Sequence, residues 1–333
     1  MTIVSKHFLL VRCAWLAMLI IPNVWGAGEL LAGKAFTDPS QQTEMPKEWR
    51  KQPIQYKRWA KGAELAVTLD QQLYPALLPI IQQYAREKKL DIAVQEGTCG
   101  TSAMGLKDKT ADIAGFCCPP SEADRLPGIK FHTLGIAAIA LLVNPANPIS
   151  NVNLEQAQQI FQGTIFRWSE IKVNPRGPRR IIHVFGRLHC KQRPGHWRLL
   201  LDHEDLFSPR MSEVSTIPDM IAEIASDPYA IGYETLWMLK RYRQRGKVKT
   251  LSINRIDPAD NAKLIAGAYP LYRTFNVTTW AEAATKTPQA EALLKYLIEY
   301  MERLEPKYGI VPVSKLRRAG WKFLENELIG EPR

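Results

Sequence analysis

Glu64 to Phe116 reads ELAVTLDQQLYPALLPIIQQYAREKKLDIAVQEGTCGTSAMGLKDKTADIAGF, and this stretch decides the fold. Glu64–Leu69 is a short apolar run with strand character. A helix is expected from there to about Lys88, with Leu77, Leu78, Ile81 and Ala85 on one face. Pro79 belongs in its first turn or at a kink, because proline lacks the N–H an inner turn needs. Asp91–Gln95 is the next strand, Thr101 or Ser102 caps a short helix, and Ala111–Phe116 is a third strand. Strands alternating with helices imply a parallel sheet covered by helices, an α/β chain.

The same rhythm continues outward. Gly135–Val143 (GIAAIALLV) reads as a buried strand. Asn153-Leu-Glu-Gln opens a helix as a capping box and runs to about Phe161. Strands are expected at Ile181–Phe185, Ala230–Tyr233 and Tyr272–Val277. Helices are expected at Pro218–Ser226 and from Thr287-Pro288 onward. In the last helix Ala292, Leu293, Tyr296, Leu297 and Tyr300 form the apolar stripe. Residues 27–62 hold Pro39, Pro46 and Pro53 and few aliphatics, and read as a spacer.

The amino end reads as an export signal. Lys6 and Arg12 precede the apolar run Cys13–Ile21, and cleavage is expected near Gly26. The run is too short to span a bilayer, which takes about 20 apolar residues. The 333 residues carry 44 Lys and Arg against 33 Asp and Glu, a net charge of +11. Loss of residues 1–26 removes two of those positive charges, and the chain stays basic. An exported basic protein points away from nucleic acid and toward a small anionic ligand. With 46% hydrophobic residues and only five cysteines, the chain is neither disordered nor a small disulfide scaffold.

Several segments, in order, resemble the periplasmic solute-binding proteins of ABC importers, in particular their phosphate-binding branch. They are Glu96–Gly105 ahead of Ala111-Asp112-Ile113, Gly135–Pro148, Asn153–Ile171, Pro228–Tyr233 and Ala268–Phe275. The resemblance implies the two-lobed type 2 fold, each lobe a mainly parallel sheet with helices on both faces. Ligand would bind in the cleft and close the lobes about a hinge. Lobe one would be 63–143 and 262–325, and lobe two 144–261. It also implies a periplasmic monomer that serves an ABC permease, with no cofactor.

The resemblance assigns ligand contacts to Thr68, to the loop residues Thr98, Thr101 and Ser102, and to Arg187 as an anion clamp. Glycine and hydroxyl residues at a helix start suit an oxyanion. Cys117 stands where the family carries a carboxylate that accepts a hydrogen bond from protonated phosphate. The second-lobe loop Gly186–Trp197 lacks the family's Ser-Gly-Thr donors. It lies in a basic run holding Lys172, Arg176, Arg179, Arg180, Arg187, Lys191, Arg193 and Arg198, which reads either as a field aimed at the cleft or as a solvated face.

Cys99, Cys117, Cys118 and Cys190 all fall in these loops. Three readings stand. They form disulfides, for instance Cys99 with Cys117 or Cys118. They bind a soft metal such as copper or zinc, joined by His189 or His196. Or two of them are a redox-sensitive pair. No nucleophile with a base and an orienting third residue stands out, so a binder rather than an enzyme is expected.

Overall fold

The computed structural model describes residues 36–172, 176–188, 200–201 and 204–332. The expected export signal at 1–26 lies outside them. Among the described residues no helix is long and apolar enough to cross a membrane.

The opening stretch folds as its pattern dictates. β1 (Leu65–Asp70) pairs in parallel with β2 (Ile92–Gly97) and β3 (Ile113–Phe116). The connecting helix Tyr74–Lys88 buries Ala76, Leu77, Ile80, Ile81 and Tyr84. Its inner face is thus turned from the expected one, with Leu78 and Ala85 half-buried at its margin. Pro75 occupies the first turn, and Pro79 sits inside the helix on the exposed side, where a missing N–H leaves no buried carbonyl unmatched.

β4 is the long element. It runs from Ile129 to Val143, beginning before the expected Gly135 because Lys130, His132 and Thr133 interrupt the apolar pattern. Its first part pairs antiparallel with β10 (Tyr272–Trp280), and its last residues pair with β8 (Ala230–Thr235). Named in chain order, the other strands of the main sheet are β5 (Asn151–Val152), β6 (His183–Gly186), β7 (Ser212–Glu213), β9 (Lys249–Ile253) and β11 (Val311–Pro312), the last paired with β4. The path through the sheet is β2-β1-β3-β10-β4-β8-β6-β7, with β9 and β5 branching from β4. The sheet is mixed: β10 runs against both β3 and β4.

Two large hydrophobic cores lie along this sheet. One gathers Leu65, Leu77, Ile81, Phe116, Phe275, Leu293 and Leu297, and the other Leu141, Ile160, Phe161, Trp168, Ile231 and Leu251. β4 feeds both, through Leu134 and Ala137 into the first and Ile136, Ile139 and Leu141 into the second. The late helix Pro288–Met301 buries Ala290, Leu293, Leu294, Leu297 and Met301, whereas Ala292 is exposed. Tyr296 and Tyr300 lie on its flank, Tyr296 against Tyr84 with ring centres 4.8 Å apart.

The expected spacer is, from Phe36 on, held to the body. Trp49 is buried and its indole N–H donates to the Lys107 carbonyl at 2.7 Å. Lys109 is 1% exposed, donates to the Gln52 and Arg50 carbonyls, and lies 4.3 Å over the Trp49 ring. Composition hides this attachment because one tryptophan and one lysine carry it rather than an apolar run.

Candidate functional site

The strand directions fix where the site must be. β1 and β3 run parallel and end at Asp70 and Phe116. β10 runs against β3 with Asn276 opposite Phe116, so its earlier residues Arg273 and Thr274 lie just past the end of β3. β6 and β8 run parallel in the second half, delivering Arg187 and Glu234 to the same region.

Glu234 is the centre, 1% exposed. It receives Gln72 Nε2 at 2.7 Å, the Thr235 N–H at 2.7 Å and Arg187 Nη1 at 3.2 Å, with Arg273 Nη2 at 3.9 Å. Thr235 Oγ1 donates back to Gln72 Oε1 at 3.0 Å. Gln72 belongs to the turn after β1 and Glu234 to β8, so this pair bridges the two halves of the chain. Arg187 and Arg273 are each 3% exposed. The Arg187 peptide is held from both sides: its N–H donates to Tyr233 Oη at 2.9 Å, and that hydroxyl donates to the Arg187 carbonyl at 3.2 Å. Burial pushes the Tyr233 phenol up to about 12.

Arg273 Nη1 donates to Cys117 Sγ at 2.8 Å. Its Nε and Nη2 have no hydrogen-bond acceptor. Burial works against the Arg273 charge, but the Cys117, Glu234, Cys118 and Asp70 groups outweigh it and raise its pKa. Asp70 has the opposite balance. Burial, reinforced by Cys117, pushes its carboxyl well above the usual range, toward the neutral acid. Its Oδ1 accepts the Gln72 and Leu73 N–H groups at 3.0 and 2.8 Å, shaping the turn that aims Gln72. Two guanidinium groups thus share one ionised carboxylate. The site is donor-rich and net positive, the balance an oxyanion requires.

The expected residues divide. Arg187 and Cys117 meet here, joined through Glu234 and Arg273. Thr98 and Thr101 close a capping box on the helix Cys99–Lys107, so their hydroxyls are engaged with that helix start. Ser102 is fully buried and donates to the Gly115 carbonyl at 2.8 Å. Thr68 is inside β1, beneath Gly105 of the same helix, and its hydroxyl has no partner. Lys172, Arg176, Arg179 and Arg180 are exposed, so that part of the basic run is a solvated face. His189, Cys190 and His196 lie outside the described residues. Cys99, Cys117 and Cys118 come together as thiols, with Cys99 Sγ 3.5 Å from Cys117 Sγ and 3.6 Å from Cys118 Sγ.

Sequence reading missed Asp70, Gln72, Glu234 and Arg273. The usable signal is a single charge inside a strand buried on both faces: Arg273 in AYPLYRTF and Glu234 in AIGYET.

The chain belongs to the PBP superfamily, whose domain model matches residues 57–301. Its architecture is the two-lobed type 2 binding-protein fold. Among solved structures it is similar to an ABC-type phosphate transport receptor from Vibrio cholerae, with a TM-score of 0.61 and 20% identity over 74% of this chain and 99% of that one. It is also similar to a phosphate-bound putative ABC transporter substrate-binding protein from Clostridium perfringens, with a TM-score of 0.62 and 14% identity over 75% and 99%. Among curated proteins it is 22% identical to the phosphate-binding protein PstS of Pseudomonas aeruginosa over 66% of this chain and 70% of that protein. It is 21% identical to phosphate-binding protein PstS 2 of Streptococcus agalactiae serotype V, a match covering 35% of this chain and 40% of the relative's length.

Proposed function

We propose that the protein is an exported binding protein that captures a small inorganic oxyanion, phosphate first, between its two lobes and delivers it to an ABC-type permease. The observation that carries this reading is Arg273. It is a buried guanidinium with two nitrogens lacking hydrogen-bond acceptors, set beside a second buried arginine, with one carboxylate between them. A tetrahedral dianion offers the acceptors and the charge this arrangement lacks. Relatives described as phosphate-binding proteins and phosphate receptors favour phosphate among the oxyanions. Arg187, Arg273 and Gln72 are the contacts we assign, with Cys117 orienting Arg273.

Calorimetry on the reduced, metal-free chain tests the reading. Phosphate is expected to bind with one site, and Arg187→Gln and Arg273→Gln to weaken it about 10–100-fold each, the worth of a charged hydrogen bond. No heat with phosphate, arsenate, sulfate or molybdate at millimolar concentration would refute it.

A further inference from the structure

The cysteine cluster has a chemistry of its own. Cys99 is the first residue of its helix, fixed by the Thr98 cap. Cys117 and Cys118 follow β3, where Asn276 Nδ2 donates to the Cys118 carbonyl at 2.9 Å and the Cys117 N–H donates to Cys99 Sγ at 3.4 Å. The three sulfurs lie within 4.8 Å of one another, all buried. The Sγ–Sγ contacts of 3.5 and 3.6 Å are far longer than the roughly 2.05 Å of a disulfide. Three thiolates each about 2.3 Å from a shared ion, at the corners of a triangle, stand about 4 Å apart. A few tenths of an ångström of opening would therefore seat an ion.

We infer that Cys99, Cys117 and Cys118 form a three-thiolate site for one soft d10 cation, Cu(I). The donor set makes the selection. Among the described residues it is all sulfur and numbers three, and thiolate sulfur favours Cu(I). Zn(II) closes its shell with four donors. The Asp70 carboxylate touches Cys99 Sγ at 3.8 Å but is not part of the cluster, and its other oxygen is committed to the Gln72 and Leu73 N–H groups. Loading is a proton exchange: one Cu(I) enters, three S–H protons leave to solvent, and no electron moves. The loaded cluster carries two negative charges. Arg273 Nη1, 2.8 Å from Cys117 Sγ, offsets one. The positive end of the helix that Cys99 begins offsets part of the other.

The test uses the full chain, reduced and anaerobic, titrated with Cu(I) against a chromophoric Cu(I) chelator. One equivalent is expected to be retained, and X-ray absorption on the unsubstituted chain should show three sulfurs at about 2.3 Å. Cys118→Ser should weaken retention by more than about 100-fold, beyond the loss typical of an outer-shell change. Cys190→Ser should leave it unchanged. Failure to retain Cu(I), a shell of two sulfurs, or dependence on Cys190 overturns the assignment. So does peptide mapping that finds Cys99 disulfide-bonded to Cys117 or Cys118 in chain isolated anaerobically. The absorption measurement stands even if the Cys118 variant does not fold. The two sites share the Cys117–Arg273 contact, so phosphate calorimetry is run on the metal-free chain and the Cu(I) titration without phosphate, and either result can fail without the other.

Discussion

Glu234→Gln tests the electrostatics of the cleft most directly. The substitution keeps the shape and one oxygen, so the contacts from Gln72 Nε2 and the Thr235 N–H have an acceptor. It removes the negative charge and turns an amide N–H₂ toward Arg187 Nη1, now 3.2 Å from Glu234 Oε2. Two guanidinium groups, each 3% exposed, then lose the carboxylate between them. Breaking a buried ion pair from one side costs about 3–5 kcal/mol. At roughly 2–4 °C per kcal/mol for a chain of this class, Tm should fall by roughly 6–20 °C. The assay is thermal unfolding at neutral pH and low salt, beside the exposed control Glu96→Gln. Phosphate should narrow the gap, because a bound dianion supplies the missing charge and ligand at 100 times Kd stabilises by about 2.7 kcal/mol. A loss equal to that of Glu96→Gln would refute the placement of Glu234 between the arginines. A full loss that phosphate leaves untouched would refute the oxyanion reading instead.

Three further outcomes follow from the same structure. Arg125→Met strips Glu327 of two charged contacts, at 2.7 and 3.2 Å, and releases the Thr37 carbonyl; unfolding in denaturant should show a loss of about 3–5 kcal/mol. His132 is buried, and burial first, then the Lys130 charge, lowers its pKa to about 4. The unfolded chain therefore binds the proton first as pH falls from about 6.5 to about 4, and stability is lost across that window, by roughly 3 kcal/mol for a shift of this size. His132→Gln should flatten the slope, and an unchanged slope in chemical unfolding would sink the assignment. Gly135→Ala places a methyl 2.3 Å from the Val311 backbone carbonyl, which cannot move as a side-chain tip can; denaturant unfolding should report a loss of about 1–3 kcal/mol.

The parts legible in the sequence are those set by neighbours in the chain. The strands around Val67, Val94 and Ala114 and the helix carrying Leu77 and Ile81 announce themselves by period. The N-cap role of Thr98 was within reach, since a threonine follows three positions later. Arg187, singled out from its loop, lies against Glu234. What stayed hidden depends on distant partners. Gln72 meets Glu234 across 162 positions, and Arg273 reaches Cys117 across 156. No local pattern records such a pair; each residue shows only as a charge or amide where burial would forbid one. Thr68 lies inside β1 with its side chain beneath a helix, a placement that the strand pattern alone does not show.

The place of β10 in the sheet sets the order in which this chain can fold. Among the described residues, β10 is the only strand joining β3 to β4. Ala114 and Thr278, hydrogen-bonded across that join, are 164 positions apart. At about 5–20 residues per second, synthesis separates them by roughly ten to thirty seconds. For that interval the nascent chain carries β3 and β4 with open edges, and neither core can be completed. Contacts of such long range also make the closing step slow. A chain built this way emerges from the ribosome as a substrate for chaperones well before its two cores exist.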